Sequence, residues 1–255
     1  YLSAEKSKRP ELVGIEKFLP QEPIAEKQLD EASIAAAVKN NALALITIGR
    51  GSGEFSDRKA ENDFYLSDNE QALLTRVSKA FKKANKPVIV VMNIGGVIEM
   101  ESWKDKADAI LLAWQPGQEA GNAIADVVSG KVNPSGKLPT TFARRLESYP
   151  ASTNFPGVVT DPDAKPDMMG YVPAEVTYLD GTDIGYRYFQ KAPEKVVYPF
   201  GYGLSYTSFS FAELTARVAG GDVKLGFKVT NTGDKAGKQV AQIYASNQSA
   251  EGAVS

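Results

Sequence analysis

Short, nearly continuous apolar runs alternate with longer amphipathic ones along this chain. That pattern predicts an α/β fold, a mostly parallel sheet flanked by helices, followed by an incomplete antiparallel β-sandwich. Three observations carry it. From Ala42 onward the short runs are apolar on both faces, as strands covered by helices on each side must be. The segments between them repeat apolar residues at helical spacing. After Ser208 the pattern turns to alternation broken by turn residues, the mark of half-buried antiparallel strands.

In chain order, residues 29–38 read as a helix leading into a first strand at 42–48, and a Gly-rich loop follows at 49–53. Ser67 and Glu70 have capping-box spacing and open a helix in which Leu73, Leu74, Val77, Ala80, Phe81 and Ala84 share a face. Lys82, Lys83 and Lys86 crowd its end, where the macrodipole favours cations. Residues 87–94 form the second strand, a short helix spans 98–105, and 109–114 form the third strand. A helix at 119–128 stops at Gly130, and 138–142 is a fourth strand, of edge type because it contains Pro139. Residues 144–195, rich in Pro, Gly, Asp and Tyr, read as a long irregular surface connection. Strands at 223–229 and 239–244, separated by a turn at 231–234, begin the sandwich. Residues 1–39 offer helix and loop but no opening strand. Fewer than fifty residues follow Ser208, where a sandwich needs about 100, so both units are expected to be truncated.

Composition narrows the chemistry. With 255 residues, 43% of them hydrophobic, the chain can bury a sizeable core as one large domain or two smaller ones. Its 29 Lys and Arg against 31 Asp and Glu give a net charge of −2, so neither nucleic acid nor a membrane surface is expected as a partner. No stretch of 18 apolar residues is present to span a bilayer. There is no His and no Cys, which excludes Ser-His-Asp and Cys-His nucleophile systems and the usual zinc sites. Chemistry falls to carboxylates, Lys, Tyr or backbone groups, no metal or cofactor is implied, and the compartment stays open.

Ligands of open parallel sheets bind beyond the carboxyl ends of the strands, which selects three loops. They start at Gly49, Asn93 and Trp114, and only the first carries carboxylates, Glu54 and Asp57. Gly49, Gly51 and Gly53 let that loop turn tightly and project Glu54, either as a solvated surface acid or as a functional one. Asp57 beside Arg58 reads as half of a local ion pair. Two nucleotide motifs fail: Glu54 replaces the third Gly of a dinucleotide fingerprint, and the run from Gly130 to Leu138 is too long for a P-loop and lacks its hydroxyl. Trp103, Trp114 and the Tyr residues at 186, 188, 198, 202 and 206 are candidates for stacking on sugars or for filling cores and junctions.

Longer blocks resemble a known family. The run from Trp114 to Asp126 (WQPGQEAGNAIAD), continued by Gly130 to Phe142 (GKVNPSGKLPTTF), is similar to the C-terminal α/β domain of glycoside hydrolase family three. The segments from Asp183 to Tyr188 (DIGYRY) and from Tyr198 to Tyr206 (YPFGYGLSY) resemble its later blocks, the second preceding a fibronectin type III-like domain. The resemblance implies an α/β sandwich domain at 1–200 and the beginning of the fibronectin type III-like domain at 201–255. It implies a retaining exo-β-glycosidase of β-glucosidase type acting on β-linked oligosaccharides or aryl glucosides, with xylosidase or broader exo-glucanase activity also open. The segment from Ser52 to Lys59 (SGEFSDRK) matches the family's acid/base loop and places Glu54 as general acid/base. Phe55 departs from the family's Gly, either walling the leaving-group side or repacking the loop. The Asp nucleophile is implied to lie in a barrel domain outside this chain, so the chain alone is expected to be inactive. The alternative is a noncatalytic carbohydrate-binding or scaffold module, and a homodimer is left open.

Overall fold

The structure is a computed structural model that describes residues 29–51, 53, 58–168 and 170–245. Asp30 opens α1 (Glu31–Asn40) by accepting from the Ser33 N–H at 2.7 Å, and Lys39 sits in the last turn. β1 (Ala44–Gly49), β2 (Val88–Asn93) and β3 (Ala109–Leu112) form a parallel sheet in that order. Each falls where an apolar run predicts a strand. α2 (Asp68–Lys83) crosses from β1 to β2, and both halves of the expected Ser67–Glu70 capping box are formed.

Strand alternation sorts the core. Val88, Val90 and Met92 turn to one face of the sheet and are fully buried there. Toward the amino ends of the strands, Ala44 and Val88 pack with Ile34 of α1 and with Val77 and Phe81 of α2. Toward the carboxyl ends, Ile48, Val90 and Met92 pack with Leu74, Ile98 and Trp103. The second cluster makes a solid floor beneath the loops that leave the strands. α3 (Ala120–Val128) ends as expected: Gly130 takes φ +77° and its N–H donates to the Val127 carbonyl at 2.9 Å.

Three expected elements differ. Residues 98–105 are not a helix but extended backbone, turns and one 3-10 turn at Lys104–Lys106. Ile98 and Met100 are buried in the core, and the Glu99 N–H donates across to the Phe64 carbonyl at 2.8 Å, tying this stretch to the turn before α2. Glu99 then caps the turn, accepting from the Ser102 N–H and hydroxyl at 2.7 Å each. The expected edge strand at 138–142 does not join the parallel sheet. Instead β4 (Phe142–Ala143) pairs antiparallel with β7 (Val196–Tyr198), and the Leu138 N–H donates to the Tyr202 carbonyl at 2.8 Å. Pro139 has no N–H to offer a ladder. Residues 239–244 form no strand either.

The long connection before β7 is mostly irregular, as expected. Its described residues hold three 3-10 turns, β5 (Val158–Val159) paired with β6 (Ala174–Glu175), and the short helix α4 (Tyr186–Lys191), which buries Phe189. Beyond it β8 (Phe209–Ala219) and β9 (Asp222–Asn231) make an antiparallel hairpin. No helix among the described residues is long and apolar enough to cross a membrane.

Candidate active site

The three loops chosen from the sequence leave one end of the sheet. Pairing of β1 with β2 runs to Gly49 opposite Asn93, and the Arg50 N–H extends it by donating to the Asn93 carbonyl at 3.0 Å. The first loop therefore starts from a fixed point. Of its three glycines only Gly53 takes a left-handed φ, +76°, a conformation strained for any residue with a Cβ. Glu54, Phe55 and Asp57 lie outside the described residues. What surrounds the loop is defined.

At the entry, Arg50 has a side chain only 8% exposed. Its Nη1 and Nη2 donate to Glu70 Oε1 and Oε2 at 2.7 Å each, its Nε to the Asp63 carbonyl at 2.8 Å, and its Nη1 also to the Gly49 carbonyl at 2.6 Å. A buried guanidinium needs such a fork of acceptors. Burial alone would raise the Glu70 carboxyl, but the Arg50 hydrogen bonds, the Ser67 N–H and the guanidinium charge outweigh it and hold the group below its usual 4.5.

At the exit stands Arg58. Its Nε and Nη2 donate to Asp63 Oδ1 at 3.0 and 2.5 Å, and its Nη1 to the Val97 carbonyl at 2.9 Å. Asp63 rides on the tight turn Ala60–Phe64, in which Asn62 has φ +59° and Phe64 is buried. The sequence reading pairs Arg58 with its neighbour Asp57, which lies outside the described residues; among the described residues its carboxylate partner is Asp63. No local signal marked Asp63, because its role depends on how the turn folds back. Gly96 did carry a signal, as the second glycine of the loop after β2: a Cβ there would lie 2.8 Å from Arg58 Nη1. Arg58, Lys59, Ala60 and Phe64 also line a hollow of about 240 Å³, closed by Val97, Leu146 and Tyr149. The Tyr149 hydroxyl donates to the Thr141 carbonyl and accepts from the Ala143 N–H, each at 3.1 Å. Burial pushes its phenol above the usual 10.

The aromatic candidates serve mainly as packing. Trp103 is 1% exposed and its Nε1 donates to the Glu99 carbonyl at 2.6 Å, so it is core and not a sugar platform. Trp114, at φ +52°, lies against Phe142 with ring centroids 6.2 Å apart. Tyr186 stacks on Phe200 and Tyr198 leans on Tyr202, both at 5.1 Å. The Tyr206 hydroxyl donates to the Val127 carbonyl at the end of α3, at 2.8 Å. Among the described residues no group of acids is arranged to hold a metal ion.

Comparison with known proteins agrees with this architecture. The family model described as glycosyl hydrolase family 3 C-terminal domain matches residues 4–206. The chain is 40% identical over 232 residues to β-glucosidase B of Emericella nidulans, covering 89% of this chain and 26% of that protein. It is 37% identical over 226 residues to a β-glucosidase of Rhizobium radiobacter, covering 86% of this chain and 26% of that one. Among solved structures it is similar to β-glucosidase 3B of Thermotoga neapolitana in complex with glucose, with TM-score 0.75 and 43% identity over 86% of this chain and 29% of that chain. A β-glucosidase from Paenibacillus barengoltzii gives TM-score 0.67 and 35% identity over 81% of this chain and 22% of that chain. The chain spans about a quarter of the length of these curated relatives. A match over residues 4–206, joined to relatives of 37 to 43% identity, establishes that the chain belongs to the glycosyl hydrolase family 3 C-terminal domain family.

Proposed function

We propose that this chain supplies the general acid/base, Glu54, of a retaining exo-β-glycosidase of β-glucosidase type. The single observation that carries the reading is the match of the segment from Ser52 to Lys59 to the family's acid/base loop, at the carboxyl end of β1 where ligands of parallel sheets bind. In this reading residues 1–200 are the α/β sandwich domain, residues 201–255 begin a fibronectin type III-like domain, and the Asp nucleophile comes from a barrel domain outside the chain. The substrate is a β-linked oligosaccharide or aryl glucoside, and Phe55 walls the leaving-group side.

The chemistry needs two carboxyl groups and no metal. Glu54 as the neutral acid gives its proton to the glycosidic oxygen while the nucleophile attacks the anomeric carbon and the aglycone departs. Glu54, now a carboxylate, takes a proton from water as that water's oxygen attacks the glycosyl-enzyme, releasing the sugar and restoring both groups. Retention calls for the two carboxyls to stand about 5 to 5.5 Å apart. For the first step Glu54 must hold its proton, which an unpaired cation nearby would oppose. The two guanidiniums that flank the loop are each matched by a carboxylate, Glu70 for Arg50 and Asp63 for Arg58, and this supports the assignment.

Glu54→Gln in the full-length enzyme tests it. We expect kcat/KM to fall about 10²- to 10⁴-fold for alkyl glucosides and cellobiose, which need the leaving group protonated, and far less for activated aryl glucosides. Azide should restore turnover of the aryl substrates as a glucosyl azide. Equal, mild losses on both substrate classes would sink the acid/base role and favour a noncatalytic module.

A further inference from the structure

We propose that Asp63 is a positioning residue for the acid/base carboxyl, tying the two ends of the Glu54 loop together through Arg50 and Arg58. The proposal rests on the reading of Glu54 as general acid/base. Its basis is a juxtaposition among described residues only. Arg50 enters the loop and Arg58 leaves it, and both turn back to the same acid. Asp63 gives its backbone carbonyl to Arg50 Nε at 2.8 Å and its carboxylate Oδ1 to Arg58 Nε and Nη2 at 3.0 and 2.5 Å. The same Oδ1 lies 3.8 Å from Arg50 Nε, so one oxygen faces both cations.

The clamp is anchored on each side. Arg50 is held by the bidentate pair with Glu70 at the first turn of α2, so the entry is fixed to a capped helix end. Arg58 reaches across to the Val97 carbonyl at 2.9 Å, so the exit is fixed to the strand-end loop after β2. That second route exists only because position 96 is glycine, since a Cβ would come within 2.8 Å of Arg58 Nη1. Both guanidiniums are well buried, with side chains 8% and 19% exposed, which sets them apart from surface pairs whose geometry wanders. Forked, charge-assisted hydrogen bonds thus set the two described ends from which the loop springs. Proton transfer to a departing oxygen demands fixed placement, because a displacement of about 1 Å in a catalytic group can cost about 10²-fold.

The test compares leaving groups in the full-length enzyme. Asp63→Asn should lower kcat/KM about 10- to 100-fold for alkyl glucosides and cellobiose, and less than about 3-fold for an activated aryl glucoside. In a Glu54→Gln background the same change should cost less than about 2-fold more, because a misplaced glutamine has no proton to deliver. The melting temperature is measured in parallel. Should Asp63→Asn fail to give folded enzyme, Gly96→Ala makes the same comparison, because its methyl group displaces Arg58 while leaving Asp63 in place. Equal losses on both substrate classes, no loss at all, or full additivity with Glu54→Gln would overturn the proposal and leave Asp63 a merely structural ion pair. The two readings fail separately. If Glu54→Gln does not discriminate between leaving groups, the acid/base assignment falls and the positioning role with it; if Glu54→Gln discriminates and Asp63→Asn does not, only the positioning role falls.

Discussion

At the first turn of α2, Glu70 Oε2 accepts from the Ser67 N–H at 2.8 Å and from Arg50 Nη2 at 2.7 Å. One carboxylate therefore caps a helix and neutralises a buried guanidinium. The capping half was legible, because Ser and Glu three apart before an apolar run announce it. The Arg50 half was not, since two residues twenty positions apart meet only after β1 and α2 have packed. The same holds for the Arg58–Asp63 pair, which forms only because the turn Ala60–Phe64 folds back. Glu70→Ala should cost about 2–4 kcal/mol, the sum of a lost cap and an unpaired buried cation, read from denaturant unfolding. Glu70→Gln keeps some hydrogen bonds and should cost less, with a distinctive pH dependence. The folded carboxyl is held below 4.5, so the unfolded chain binds its proton first as pH falls. The extra stability of wild type over Glu70→Gln should be fully present above the unfolded value near 4.5 and lost as pH falls through the lower folded one. A gap between the two proteins that widened on acidification would refute this sign.

The parallel strands were readable because each carries a short, nearly continuous apolar run, most plainly central β2, where Val90 and Val91 turn to opposite faces and are both buried. β8 escaped notice for a physical reason. Its pairing with β9 shifts register between Ala212 and Thr215, and Glu213 sits at φ +58°. A bulge inserts a residue and reverses the alternation, so the period-two pattern is broken halfway along. The expected strand at 239–244 forms no ladder, and its sequence keeps no period of two, since Val240, Gln242 and Tyr244 would share one face. Glutamate has no special tolerance for a left-handed backbone. Glu213→Gly should therefore stabilise the hairpin by about 0.5–1 kcal/mol, because the exposed Lys228 contact at 3.3 Å that it removes contributes little. Chemical denaturation of wild type and variant checks it, and a loss of stability would mean that the Lys228 pair outweighs the strain.

For the molecule as a whole, the contrast between its two ends decides how it should behave. The centre of the parallel sheet hides its apolar residues, with Val88, Val90 and Met92 of β2 at zero exposure. The hairpin does the reverse. Val223, Leu225, Phe227 and Val229 share one face of β9, and Phe211 and Val218 of β8 stand opposite Val229 and Val223. All six are 40 to 79% exposed. A two-stranded ribbon with one apolar face left open is marginal in water, and such a face seeks a covering surface. In a longer chain the remaining strands of a sandwich would provide it. Expressed as these 255 residues alone, the protein should bind an apolar dye such as ANS and associate with rising concentration in light scattering. Phe227→Lys together with Val229→Lys should reduce both while leaving the unfolding of the parallel sheet unchanged, because neither residue belongs to its core clusters. If the proposed nucleophile belongs to a barrel domain outside these residues, the isolated chain should also show no glycosidase turnover. A longer polypeptide that joins a barrel domain and further sandwich strands to it should then show turnover and lose dye binding together. A monodisperse 255-residue monomer that binds no dye would show that the hairpin face is already satisfied.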